Sequence, residues 1–159
     1  MLTIRPATSN DVQTIVNLIT ALAVYENAEA HEVNTTPELI RRFGFTEPKR
    51  FECLIAEWEG VAAGFALYFY NFSTWEARPG IYLEDLFVLP EHRKRGIGLA
   101  LFKALASVAL HNDCARIVWQ VLDWNELAIR FYQSLGARCM SEWDTYRLEG
   151  ESIRRLAAQ

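Results

Sequence analysis

Two carboxylates, Glu84 and Asp85, sit side by side in an apolar, strand-like run, and a basic cluster with two glycines follows closely behind them. From Leu83 to Leu101 the chain reads LEDLFVLPEHRKRGIGLAL. The run stops at Pro90, passes through His92-Arg93-Lys94-Arg95, and reaches Gly96-Ile97-Gly98 at the start of an apolar helix. Glycines at a strand-to-helix turn leave backbone N–H groups bare, and the helix N-terminus adds the positive end of its dipole. Gly96 and Gly98 let the backbone approach a ligand where a Cβ would collide. Arg93, Lys94 and Arg95 can neutralise further phosphate charge. The chemistry implied is a phosphorylated ligand held beside a pair of acids.

Taken alone, Arg93-x-x-Gly96-x-Gly98 also fits a surface bend with solvated basic residues. It lacks the GxxxxGK[ST] of a P-loop and is not the GxGxxG of a dinucleotide fold. What favours the anion cradle is its setting between an apolar strand and a helix apolar enough to pack on a sheet.

The elements that must position these groups are legible in the periodicity. Leu2 to Ala7 reads as a first strand. Thr8-Ser9-Asn10-Asp11 then offers a capping box before a helix that runs to about Tyr25, with Val12, Ile15, Val16, Ile19 and Leu22 on one face. An acidic loop spans Glu26 to Asn34, and Thr36-Pro37 opens a short helix to about Phe43. Phe51–Trp58 and Val61–Phe72, joined by Glu59-Gly60, predict a hairpin. Ser73 to Gly80 is expected to be a loop and Ile81–Leu89 the next strand. Then follow a helix over Gly98–His111, a strand over Arg116–Leu122, and a helix over Asn125–Leu135 closed by Gly136. A final strand is expected over Ala137–Leu148, with a short helix at the end. The order β-α-α-β-β-β-α-β-α-β predicts one α/β domain over residues 1–159, with a mixed, partly antiparallel central sheet and flanking helices.

Composition is that of an ordinary globule, with 51% hydrophobic and 23% charged residues in 159. The formal charge of -4 argues against a nucleic-acid partner, because the one basic cluster is explained by phosphate. Cys53, Cys114 and Cys139 are scattered without CxxC spacing, as are His31, His92 and His111, so no metal site is expected. Met1 leads straight into strand-like LTIRPA with no secretory pattern, and no apolar run approaches the roughly 20 residues of a membrane span. The expected compartment is the cytoplasm.

LEDLFVLPEHRKRGIG, followed by a strand and LDWNELAIRFYQSLGA, resembles the GNAT superfamily of acetyl-CoA-dependent N-acetyltransferases. YLEDLFV, Ser73-Thr74-Trp75, VLDWN, the opening IRPAT and the VYE ending the first helix resemble its diamine branch, which includes spermidine/spermine and thialysine N-acetyltransferases. The likeness covers nearly the whole chain. It implies the GNAT fold, with a splayed strand pair in the sheet, and homodimers. It also implies that backbone groups of Leu86, Phe87 and Val88 hold the pantetheine arm and acetyl group of acetyl-CoA. The pyrophosphate turn is Lys94 through Leu99, including Arg95, Gly96, Ile97 and Gly98, with Arg93 beside it also binding the cofactor, and Asn125 contacts the cofactor arm. Tyr132 is the general acid near the sulfur, while Tyr25, Glu26, Glu84 and Asp85 line the amine site. Polyamine-preferring members carry an acid just ahead of the loop tryptophan, where this chain has Ser73-Thr74. That departure favours a short diamine or a lysine analogue over spermine, and Arg78 could meet a substrate carboxylate.

These roles suit the chemistry. A lysine-like amine is neutral in only about one molecule in 2,500 at pH 7, so a carboxylate, direct or through water, must collect its proton. Glu84 is the candidate, with Asp85 on the opposite face if the strand is regular. An N–H near Leu86 could stabilise the oxyanion. A phenol such as Tyr132 can protonate the leaving thiolate, although a tyrosine beside Phe131 on a helix also fits core packing. No cysteine lies in these motifs, which favours direct attack in a ternary complex. Competing readings are an acetyltransferase for an amino acid, aminoglycoside or protein N-terminus, and a non-catalytic CoA-binding sensor. Such a sensor would need neither Glu84 nor Tyr132.

Overall fold

The computed structural model describes residues 1–158. Met1–Gln120 form one compact unit, and the described residues from Val121 onward form a second. The first unit holds a five-stranded sheet in the order β1-β2-β3-β4-β5, built from Leu2–Pro6, Glu52–Trp58, Val61–Ser73, Arg78–Val88 and Ile117–Val118. The first four strands pair antiparallel, and β5 runs parallel to β4.

Local chemistry sets the helix starts. The Thr8 N–H donates to the Asp11 carboxylate at 2.7 Å, and the Thr8 hydroxyl accepts from the Asn10 N–H. This capping box leads through one 3-10 turn into α1, Val12–Tyr25. Asp11 is buried and receives two hydrogen bonds from Arg5, at 2.7 and 2.9 Å. Arg5 bridges onward to Glu57 on β2 at 2.7 Å. Those guanidinium bonds hold the Asp11 carboxyl far below the usual carboxylate range. The Thr36 hydroxyl caps α2, Pro37–Gly44, with Pro37 in its first turn. α3 spans Ile97–His111.

Cross-strand partners share a face, so the register sorts the sheet. Cys53, Ile55, Phe65, Leu67 and Phe87 face α1 and α2, whose Ile15, Leu18, Leu22 and Ile40 complete that core cluster. Leu54, Ala66 and Leu83 are buried on the other face. There α3 packs with Ile97, Leu101 and Leu105 inward.

Three elements differ from the sequence expectation. The loop expected over Ser73–Gly80 shrinks to residues 74–77, because Phe72 pairs with Pro79 and Ser73 with Arg78. The Ser73 hydroxyl accepts from the Glu76 N–H and closes that turn. The strand expected over Arg116–Leu122 is paired only at Ile117 and Val118, since β5 meets β4 only at Ile81 and Tyr82. Residues 137–148 form no strand, having no ladder partner among the described residues. The second unit instead contributes α4, Glu126–Ser134, and α5, Glu151–Ala157. α4 is followed by Gly136 at φ +85°, as its closing position requires.

Candidate active site

β4 carries the acids and a bare edge. It keeps β3 on one side throughout, while β5 leaves it after Tyr82. From Leu83 to Val88 no strand among the described residues pairs with the other edge. Unladdered backbone of this kind can take a ligand's amide groups in place of a strand.

The strand is also irregular at its acids. Tyr68 pairs with Leu83 and Leu67 with Asp85, so Glu84 is the extra residue of a bulge. The expected alternation therefore fails. Asp85 takes the face of Leu67 and Phe87, toward α1, while Glu84 is exposed. Burial, followed by the charges of Glu84 and Glu26, pushes the Asp85 carboxyl up to about 7. Burial also raises Glu26, the C-cap of α1. Tyr25 ends α1 with its ring 5.9 Å from that of Phe87. Tyr25, Glu26, Glu84, Asp85 and Phe87 thus gather at one place, an acidic cluster of the kind that suits an ammonium group.

Beyond Val88 the chain passes through a 3-10 turn, Pro90–His92, into the basic bend. Lys94 has φ +61° and Gly96 φ +76°, and no side chain caps α3. The first amides of α3, those of Ile97, Gly98 and Leu99, are therefore left to an outside acceptor, as a pyrophosphate requires. At Gly96 the positive φ favours glycine. The three basic side chains have different neighbours. The Arg93 guanidinium lies 4.4 Å from the Tyr25 ring centre, and its Nε donates to the Val88 carbonyl at 3.1 Å. Arg95 lies over Trp58 at 5.0 Å. Lys94 is exposed and has no hydrogen-bond or ion-pair partner among the described residues.

In the second unit Asn125 is the N-cap of α4, its Oδ1 accepting from the Ala128 N–H at 3.3 Å. Tyr132 lies on the same helix, half-buried, with its ring 5.6 Å from that of Phe131. Among the described residues no group of three or more His, Cys, Asp or Glu could hold a metal ion. No described helix is long and apolar enough to cross a membrane.

Sequence reasoning missed Trp58 beneath Arg95, which no local pattern marks. It also missed the bulge, which is set by β3.

The Acetyltransferase (GNAT) family matches residues 18–137. Thialysine N-epsilon-acetyltransferase of Sus scrofa is 40% identical, over 98% of this chain and 97% of its own length. The Mus musculus protein of the same name is 38% identical over the same shares. L-ornithine N5-acetyltransferase NATA1 of Arabidopsis thaliana is 38% identical over 60% of this chain and 42% of its own. Among solved structures, an integron cassette protein from the mobile metagenome of V. cholerae superposes with a TM-score of 0.82 and 27% identity. It covers 99% of this chain and 98% of its own. The bulged acidic strand, its bare edge and the uncapped helix after it thus coincide with a family match across most of the sequence, and the chain is an acyltransferase belonging to the Acetyltransferase (GNAT) family.

Proposed function

We propose that this chain transfers the acetyl group of acetyl-CoA to the primary amine of a small aliphatic amine: a diamine, a polyamine or a thialysine-like lysine analogue. The observation that carries the reading is the continuity of β4. One strand bears the acids at Glu84 and Asp85, a bare edge at Leu86–Val88, and then the uncapped turn Lys94–Leu99. A nucleotide tail held at the turn would bring its thioester to the edge, beside the acids. Acetyl-CoA, when bound, supplies an activated acyl group. Everything else is left to the chain's own residues. Glu84, exposed at the bulge, collects the ammonium proton, while Asp85 and Glu26 favour a cation at the mouth. The backbone N–H near Leu86 stabilises the developing oxyanion. Asn125 contacts the cofactor arm, and Tyr132 returns a proton to the leaving thiolate; both roles rest on the sequence resemblance.

The family match crosses residue 120, which supports both units working as one N-acetyltransferase domain. We place it in the cytoplasm as a homodimer, with no nucleic-acid or membrane partner. Ser73-Thr74 before Trp75, and relatives named for thialysine and ornithine, support a short acceptor that ends in an amine and carries a carboxylate. A thiol-release assay with acetyl-CoA tests this across thialysine, ornithine, putrescine, spermidine, spermine and an aminoglycoside. The expected order puts thialysine or ornithine first in kcat/KM. Preference for spermine refutes the short, carboxylate-bearing acceptor, and no thiol release with any of them refutes the reaction.

A further inference from the structure

Arg93 opens the motif whose backbone is bare for phosphate, yet its own side chain packs on aromatic rings. Its guanidinium lies 4.4 Å from the Tyr25 ring centre and 5.7 Å from that of Phe87. Those two rings are 5.9 Å apart. Its Nε donates to the carbonyl of Val88, the last residue of β4, at 3.1 Å. The group is half-buried. One planar cation thus touches the end of α1, the end of β4 and the entrance of the turn.

We propose that Arg93 is a positioning residue that locks the phosphate turn to the Tyr25–Glu26 end of α1, so that the cofactor side and the amine side of the site hold each other in place. This rests on the acetyltransferase reading above. Three observations support it. A guanidinium is flat and weakly hydrated, which suits stacking on aromatic faces, whereas an ammonium is a compact, strongly hydrated point charge. The Nε bond fixes the plane of the guanidinium, so the stacking geometry is set by backbone at Val88. And the residue after Tyr25 is Glu26, an acid assigned to the amine, so any shift of Tyr25 moves that carboxylate too. Lys94, exposed and unpartnered among the described residues, is left as the cation for the phosphates.

A phosphate ligand and a lock respond differently to substitution. Coenzyme A affinity by calorimetry at several salt concentrations, and KM for the best amine of the panel above, are measured for Arg93→Lys, Arg93→Met, Lys94→Met, Tyr25→Leu and the double variant Tyr25→Leu/Arg93→Met. Thermal unfolding verifies that each is folded, and Arg93→Lys serves as the gentler probe should Arg93→Met fail. The lock predicts that Arg93→Lys loses about as much coenzyme A affinity as Arg93→Met, roughly tenfold, because charge without planarity does not restore the stack. Amine KM rises in the same variants, and the salt dependence keeps its wild-type slope. Lys94→Met instead flattens the salt dependence and leaves amine KM near wild type. The double variant is little worse than the worse single one, since both remove the same contact.

Arg93→Lys with near wild-type affinity, together with a flattened salt slope in Arg93→Met, would make Arg93 a phosphate ligand and overturn the proposal. Lost affinity with unmoved amine KM, or additive losses in the double variant, overturns it as well. A wild-type chain that binds no coenzyme A overturns the acetyltransferase reading and this proposal together.

Discussion

Asp85 faces Leu67 across the β3–β4 ladder, on the side of the sheet that α1 covers. A carboxyl in that place is held protonated by burial and by its neighbours Glu84 and Glu26, up to about pH 7. The unfolded chain loses the same proton near the ordinary aspartate value of 3.8. Between those two pH values the folded state binds more protons, so this residue's contribution to stability is full below about pH 4 and is lost as pH rises through 7. The shift corresponds to an upper limit of about 4 kcal/mol. Asp11 works in the opposite sense: its depressed carboxyl stabilises above the unfolded value and loses that contribution as pH falls below it. Urea unfolding midpoints should therefore decline from pH 5 to pH 8, and Asp85→Asn should flatten that decline. A wild-type midpoint that rises over this interval would show Asp85 to be ionised in the folded protein.

The two neighbouring acids should part in kinetics. Glu84→Gln removes the group that collects the amine's proton, so its loss in kcat/KM is expected to be greatest at low pH, where neutral amine is scarcest; the scale is about 10²-fold. Asp85→Asn should instead erase a rise in kcat/KM near pH 7, because only the ionised carboxylate attracts the ammonium. A uniform loss at every pH in Glu84→Gln would make Glu84 a positioning group.

Gly64 is where β3 lies tightest on the cofactor strand. A Cβ built there would stand 2.5 Å from the Phe87 carbonyl oxygen and 3.2 Å from the Val88 Cα, both backbone atoms that cannot swing aside. Gly64→Ala must push β4 away, at a cost of about 1–3 kcal/mol, and the displaced Phe87–Val88 edge should bind coenzyme A more weakly. Gly60→Ala is the control. It is strained by φ +82° in the β2–β3 turn but has open space around it, so its cost of about 1 kcal/mol should appear in melting temperature alone. Equal coenzyme A affinity in both variants would detach Phe87 and Val88 from the cofactor.

What the sequence made legible was whatever local chemistry decides. Thr8 with Asp11, Thr36-Pro37, Glu59-Gly60 and Gly136 each act within a few residues, and each marks its element in the structure. The acidic strand and the basic turn were legible because their residues are contiguous. The bulge was not, because its register belongs to β3, and with it went the direction of Asp85. Arg93 on Tyr25 and Arg95 on Trp58 join segments far apart in sequence, so no local pattern shows these contacts. Ala137–Leu148 has strand composition, but composition cannot supply the neighbouring strand a ladder needs.

Tyr132 carries the role most exposed to refutation, because it was assigned through the resemblance of FYQSLGA and lies on α4 of the second unit. A thiolate leaving without a proton is a poor leaving group at neutral pH, and a phenol with an unperturbed pKa of about 10 can supply one. Tyr132→Phe keeps the ring that packs 5.6 Å from Phe131 and removes only the hydroxyl. Folding and coenzyme A affinity should therefore stay near wild type while kcat falls by about 10²-fold or more. If acid catalysis is what was lost, an acyl donor with a more acidic thiol should suffer less from the substitution, because its thiolate departs with less help. An equal loss with both donors, or an unchanged kcat, would take Tyr132 out of proton transfer.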